Sequence, residues 1–362
     1  MALLWADIPS GDTGIYGTTT SYMLSGVWAE LGGGTVSLDE DPDPTITGNV
    51  LTFGDGITAG YARFVNPGGA QNTAGIATRL WMNSLPNTDA RRPWIHQFRD
   101  VSNNLRLGIR VSTTGTIQVY RDVAFLTDIG TLIGETTGPV LTAQAWRHVE
   151  TKVLWSTTVG TVTIKVEGVE VLALTGVNTG AGNYAQFCIG VSATSVTTVN
   201  FAGSMKDVVF WDGTGSQNND FLGPVGVYWR QPNADISSGW ARTSGSTDYG
   251  LVDESPPVDA GYIYADDTPP AASIMGMEAL PADVVAIRGI ISVARAQKSD
   301  GGDGNMQVSL SPNGTDWDTG ADNAISTAFT YYLDVSEVSP DTAAPWTPVE
   351  FDALRIRLNR TL

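Results

Sequence analysis

The run "WRHVETKVLWSTTVGTVTIKVEGVEVLAL", Trp146 to Leu174, decides the fold. Apolar and polar residues alternate along it, the signature of strands with one buried face. The alternation breaks at Thr158–Gly160 and again at Glu167–Gly168, which divides the run into three strands joined by tight turns. Val162, Ile164 and Val166 fall on one face. Gly168 makes the turn toward Val169 and Val171, and Trp146 is expected to anchor the core.

The same pattern extends outward in both directions. "LRLGIRVS", Leu105 to Ser112, places Leu105, Leu107, Ile109 and Val111 on one side and Arg106 and Arg110 on the other. "GTIQVYRD" follows after the turn "TTG", which makes a hairpin. "YAQFCIGV" and "MKDVVFWDG" read as two more strands. No window sustains a helical period, so residues 1–213 read as an antiparallel two-sheet sandwich. "DGTGSQNNDFLG", Asp212 to Gly223, is polar and glycine-rich and is taken as a boundary. Residues 214–270 then form an extended connector with one strand, "PVGVYWRQP". Residues 271–362 form a second β domain from "SIMGMEAL", "VVAIRGIISVARAQK", "NMQVSLSPNG", "STAFTYYLDV" and "ALRIRLNRT". One helical start stands out. Thr347 is an N-cap, Pro348 the first helical residue, and Glu350 completes a Thr-x-x-Glu capping box. The fold class is all-β, with two antiparallel β-sandwich (jelly-roll) domains.

Composition narrows function by exclusion. The chain has 38 acids against 20 bases, a net charge of −18, which repels nucleic-acid phosphates and anionic lipid. One cysteine, Cys188, rules out an intrachain disulfide framework and reads as a small buried hydrophobe. With two histidines beside it, a His/Cys zinc site has no ligands to draw on. No stretch approaches the roughly 20 apolar residues of a membrane span. "MALLWADIPSGDTG" has neither the basic region nor the apolar length of a signal peptide, so the expectation is a chain made in a cytoplasm and soluble or assembled there.

The run from Trp146 resembles the concanavalin A-like (laminin G-like) jelly roll, in which a "W-x-x-x-E" strand pairs with a "G-x-V-x-V-x-V-x-G" hairpin and a strand like "MKDVVFWDGTG" closes the sheet. "FLGPVGVYWRQPNADISSGW" and "DYGLVDESPPVDAGYIYAD" extend the resemblance to structural proteins of tailed bacteriophages, in which a laminin G-like domain precedes a small β domain. The "NGT" hairpin, the strand holding Tyr331 and "PWTPVEFDALRIRL" are also similar to that family, while Ala260 stands where an acid is expected. The resemblance implies a virion component, assembled in a host cytoplasm, and carries over no catalytic residues.

Several acidic clusters invite other chemistry. In "GLVDESPPVDAGYIY", Asp253, Glu254 and Asp259 sit on a connector stiffened by Pro256 and Pro257. A glycosidase pair needs carboxylates fixed about 5–10 Å apart on rigid elements, so this stretch reads as a strap pinned by Val252 and Tyr262 or Tyr264. Calcium is the one cofactor the acidic loops could take. Asp300, Asp303 and Asn305 in "SDGGDGN" have the most calcium-like spacing, ahead of "LDEDPDPTITG" and "NGTDWDTGADN", though each is more simply a solvated loop. In "RRPWIHQFRD", Trp94 could stack on a sugar with Arg92, His96 and Arg99 as hydrogen-bond donors, though Trp94 and Phe98 are more simply core residues and His96 a satisfied partner. Strict alternation puts Trp94, His96 and Phe98 on one face and Ile95, Gln97 and Arg99 on the other. No nucleophile motif accompanies His96 or His148. The reading that results is a non-enzymatic structural protein of a tailed phage. It would assemble with itself, taken as a trimer, and with other virion proteins through aromatic surfaces around Trp229, Trp240, Tyr262 and Tyr264. The alternative is a lectin-like module for host-surface glycan.

Overall fold

A computed structural model describes residues 3–7, 28–33, 36–40, 42, 49–53, 60–65, 71–86, 94–124, 129–180, 184–190, 203–253, 259–265, 272–299, 301–302 and 304–361. The chain divides into two units, Met1–Tyr228 and Trp229–Leu362.

The first unit is built from β1 (Leu3–Asp7), β2 (Trp28–Gly33), β3 (Val36–Glu40), β4 (Asn49–Phe53), β5 (Gly60–Val65), β6 (Thr73–Met82), β7 (Trp94–Arg99), β8 (Leu105–Val111), β9 (Ile117–Ala124), β10 (Ile129–Glu135), β11 (Arg147–Leu154), β12 (Gly160–Val166), β13 (Val169–Val177), β14 (Gln186–Gly190) and β15 (Gly203–Asp212). Among the described residues these form two antiparallel sheets. The first has the order β13-β12-β11-β6-β15-β4-β3, with β1 also paired to β15. The second has the order β10-β9-β8-β7-β14-β5-β2. The three strands read from Trp146 onward are β11, β12 and β13. Glu167 (φ 52°) and Gly168 (φ 78°) both take positive φ in the turn joining β12 to β13, as a two-residue type I′ hairpin demands.

The sheets meet through their inward residues. Phe187 of β14 stacks on Phe210 of β15 with ring centroids 4.8 Å apart, and Phe64 of β5 stacks on Phe210 at 5.3 Å. Val149, Val153, Val162, Ile164 and Cys188 are buried. Trp146 does not anchor this core. Period-two parity places it with outward His148, Glu150 and Lys152, and it lies half-buried against Trp81 and the Lys206 ammonium, 4.2 Å from its ring.

Asp212 to Gly223 is not a free boundary. This stretch lies across the outer face of the first sheet. Leu222 is buried and its amide donates to Glu150 Oε1 at 2.5 Å, Lys152 pairs with Asp220 at 2.9 Å, and the Lys165 ammonium sits 4.1 Å from the Phe221 ring. "PVGVYWRQP" is no strand either. The Val227 amide donates to the Asp207 carboxylate at 2.8 Å instead of entering a ladder, and strand structure begins at Pro232.

The second unit holds β16 (Pro232–Ser237), β17 (Ala241–Arg242), a 3-10 turn at Tyr249–Leu251, β18 (Ile263–Tyr264), β19 (Ser273–Met277), β20 (Ile290–Ala296), β21 (Asn305–Ser311), β22 (Asp322–Ala324), β23 (Thr330–Ser336), α1 (Pro348–Asp352) and β24 (Arg355–Thr361). Five strands form a sheet in the order β16-β19-β24-β21-β22, and β17-β18 and β20-β23 pair separately. The region read as a connector therefore supplies strands of this unit. Leu251, Ile263, Met275, Met306, Val308, Ile325 and Leu358 make its core, with Val252, Trp240 and Tyr332 packed against it. Thr347 and Glu350 form the capping box read from the sequence, with Pro348 opening the turn. Among the described residues no helix is long and apolar enough to cross a membrane.

Candidate functional site

The face expected around Trp94 is rearranged by one β-bulge. Trp94 pairs with Arg110 of β8, but the next ladder pair is His96 with Ile109, so an extra residue enters β7 between them. The bulge sends Trp94 to the face that points away from the first sheet, beside Gln97 and Arg99, and leaves His96 facing inward. Trp94 lies over Gly108, where any Cβ would run into its ring. The Arg110 guanidinium sits 5.2 Å from the Trp94 ring and 3.9 Å from that of Tyr120, and Tyr120 meets Trp94 edge-on at 5.7 Å. Trp94 is wholly buried, so it cannot stack on a sugar. Gln97 and Arg99 are wholly buried too, the Arg99 Nη2 donating to Gln97 Oε1 at 2.7 Å. Arg110 and Tyr120, both half-buried, form the outer layer of this face.

His96 is not a ligand-facing group. Its Nε2 bonds the Thr78 hydroxyl at 2.9 Å and its Nδ1 the Thr151 hydroxyl at 3.0 Å, so it ties the two sheets together. Burial, with the nearby His148 adding to it, lowers its pKa to about 3 and keeps it neutral. His148, on the outer face of the first sheet, is lowered to about 4 by burial and by Arg79. Glu150, two residues on, is wholly buried and pushed up to about 7 by burial, against the pull of the Leu222 and Gly223 amides and Lys165. Arg92 lies outside the described residues.

Of the calcium candidates, Asp300 and Asp303 lie outside the described residues. Asn305 opens β21 and donates its amide to Asp322 Oδ2 at 2.9 Å. In the next loop Asn313 Oδ1 accepts the amides of Thr315 and Asp316 at 2.8 and 2.9 Å, which closes a turn on its own backbone. Among the described residues no three His, Cys, Asp or Glu side chains gather as metal ligands would.

In the second unit the four aromatic residues singled out from the sequence separate. Trp240 packs against the core, and Trp229 is half-buried. Tyr262 and Tyr264 are 40% and 42% exposed. Ile263 between them is drawn into the core, so strand alternation turns both tyrosines outward. The backbone of Tyr262 is fixed by Thr243, whose hydroxyl accepts the Tyr262 amide at 3.0 Å. The Tyr262 ring meets Tyr264 at 6.3 Å and Phe329 at 6.5 Å. Arg295 of β20 continues the surface, its guanidinium 5.2 Å from the Phe329 ring and 5.0 Å from that of Tyr331, its ladder partner on β23. Asp259 closes it with two 2.7 Å bonds from the Arg295 fork. That bidentate bond, ahead of the charge itself, holds Asp259 below the usual carboxylate range.

One acid of the strap is thus committed to an ion pair. Asp253 makes no such contact among the described residues, and Glu254, Pro256 and Pro257 lie outside them. The strap's ends are pinned by Leu251, Val252 and Ile263 rather than by the tyrosines. Sequence reasoning missed Arg295 and Phe329, which come from strands and loops far along the chain. The signal available was alternation in β20, where Ala294 and Ala296 face the core and leave Arg295 outward.

No protein-family model matches the chain, and no curated protein matches it. Solved structures do. The alginate lyase vAL-1 from a Chlorella virus is 10% identical with a TM-score of 0.36, over 51% of this chain and 93% of that one. Alginate lyase A1-II', of polysaccharide lyase family 7, is 13% identical with a TM-score of 0.33, over 48% and 82%. The carbohydrate-binding module CBM66 from Bacillus subtilis is 10% identical with a TM-score of 0.33, over 53% and 99%. The likeness is one of fold: antiparallel β-sandwiches of the jelly-roll kind. It corrects the expectation of a non-enzymatic chain.

Proposed function

We propose that the protein binds carbohydrate, through the surface formed by Tyr262, Tyr264, Phe329 and Arg295. The observation that carries this reading is the pair of tyrosines, 40% and 42% exposed, held on a strand beside an arginine already fixed by Asp259. Exposed rings offer flat apolar faces for the C–H side of a pyranose, and Tyr hydroxyls with the spare guanidinium N–H groups supply hydrogen bonds to sugar hydroxyls. The backbone on both sides is held by ladder and Thr243 bonds, so little order need be gained on binding. A glycan array probed with the full chain tests this. Binding to at least one glycan, reduced tenfold or more in Tyr264→Ala, is the expected result. Unchanged binding in that variant refutes the assignment.

A second reading follows from the resemblance to tailed-phage structural proteins. Tyrosine and arginine are also the residues enriched at the centres of protein interfaces, so the same surface suits packing against a neighbour in a particle. Light scattering separates the two. A closed oligomer that Tyr264→Ala dissociates favours assembly, and a monomer favours the glycan surface.

A further inference from the structure

We infer that the ligand of the Tyr262–Tyr264 surface is an uncharged glycan, not a uronate- or sulfate-bearing one; this rests on the carbohydrate-binding reading above. An anionic sugar needs a cation with an unused fork, and the strong form of that contact is bidentate. Arg295, whose guanidinium packs against Phe329 and Tyr331, gives both Nε and Nη2 to Asp259 at 2.7 Å. Two of its N–H groups are taken and its charge is matched by Asp259. A carboxylate arriving at the tyrosines would meet Asp259 as well as Arg295.

The wider field points the same way. Residues 229–362 hold 19 acids against eight bases, and the whole chain carries −18. Within a Debye length of about 10 Å this potential raises the cost of bringing up a polyanion. A neutral pyranose is not penalised. The N–H groups of Arg295 used by neither Asp259 nor Tyr331, and the hydroxyls of Tyr262 and Tyr264, supply partners for its hydroxyls. Asp259 thus sets the specificity of the surface it closes.

Affinity electrophoresis of the full chain tests this, with neutral polymers (mixed-linkage β-glucan, glucomannan, arabinoxylan) and acidic ones (alginate, polygalacturonate) cast in the gel. The expected result is retardation by a neutral polymer that Tyr264→Ala reduces at least tenfold and that 0.5 M salt leaves unchanged. Acidic polymers should give none, while Asp259→Asn, which frees the Arg295 fork, should gain fivefold or more for alginate or polygalacturonate. Tyr264 is exposed, so its variant is checked for an unchanged melting profile. Tyr264-dependent retardation by an acidic polymer overturns the inference while leaving carbohydrate binding standing. Retardation by no polymer, or retardation indifferent to Tyr264→Ala, overturns the carbohydrate-binding reading itself and the inference with it.

Discussion

Replacing Glu150 by Gln should make the first unit more stable at pH 8 than at pH 5, relative to wild type. Glu150 is wholly buried beneath the segment that follows β15, its Oε1 taking the Leu222 amide at 2.5 Å and its Oε2 the Gly223 amide at 3.3 Å. Burial outweighs those two bonds and Lys165, with Asp220 adding repulsion, and the carboxyl ionises at about 7 instead of 4.5. The folded form therefore holds a proton that the unfolded chain has lost between pH 4.5 and 7. Stability falls as pH rises through that window and levels off above it. At about 1.4 kcal/mol per tenfold change in proton affinity, the ionised group costs about 3 kcal/mol.

Gln cannot ionise. It also turns an NH2 toward the Gly223 amide and loses that weaker bond, about 1 kcal/mol. The loss is present at both pH values, so the difference of differences isolates the ionisation. About a quarter of the cost is already present at pH 5, so the variant should gain roughly 2 to 3 kcal/mol on wild type between pH 5 and pH 8. The assay is urea unfolding of both proteins at the two pH values. Two units give two transitions, and the one belonging to the first unit is the one displaced by Gly75→Ala. An unchanged difference between pH 5 and 8, or a variant that loses ground at pH 8, would refute the reasoning. Wild type alone would not reveal the effect, because His96 and His148 titrate with the opposite sign over an overlapping window.

Those histidines supply the next prediction. Their folded pKa values, about 3 and about 4, lie below the ordinary 6.5, so they favour the fold above pH 6.5 and that stability is lost as pH falls; imidazole nitrogen shifts should show both rings neutral at pH 5, and a protonated His96 there would contradict the burial assigned as the cause of its lowered pKa. Gly75→Ala should destabilise the first unit by about 2 kcal/mol, because a Cβ there falls inside the buried Trp211 indole, and an unshifted urea midpoint would mean that the ring moves freely. Thr347→Ala should cost the second unit about 1 kcal/mol by removing the oxygen that accepts the Glu350 amide, read as a shift of that unit's transition.

The sequence by itself determined the fold class and most strands of both units, because a two-residue period needs only local order to be read. The hairpin after Val166, the buried Cys188 and the capping box at Thr347 are of this kind. Each depends on neighbours within a few positions. Tertiary structure decided the rest. A single bulged residue in β7 put Trp94 and His96 on opposite faces, and no periodicity shows where a ladder admits an extra residue. Trp146 reads from the sequence as a core anchor, although parity with His148 and Glu150 places it outward. The polar stretch after β15 looked like a linker until Leu222 and Asp220 met Glu150 and Lys152, partners 72 and 68 positions apart. Asp259 and Arg295, 36 positions apart, met in the same way. Alternation could turn Tyr262 and Tyr264 outward, but only the folded chain set Phe329 and Arg295 beside them, because a surface assembled from separate strands has no signature within any one of them.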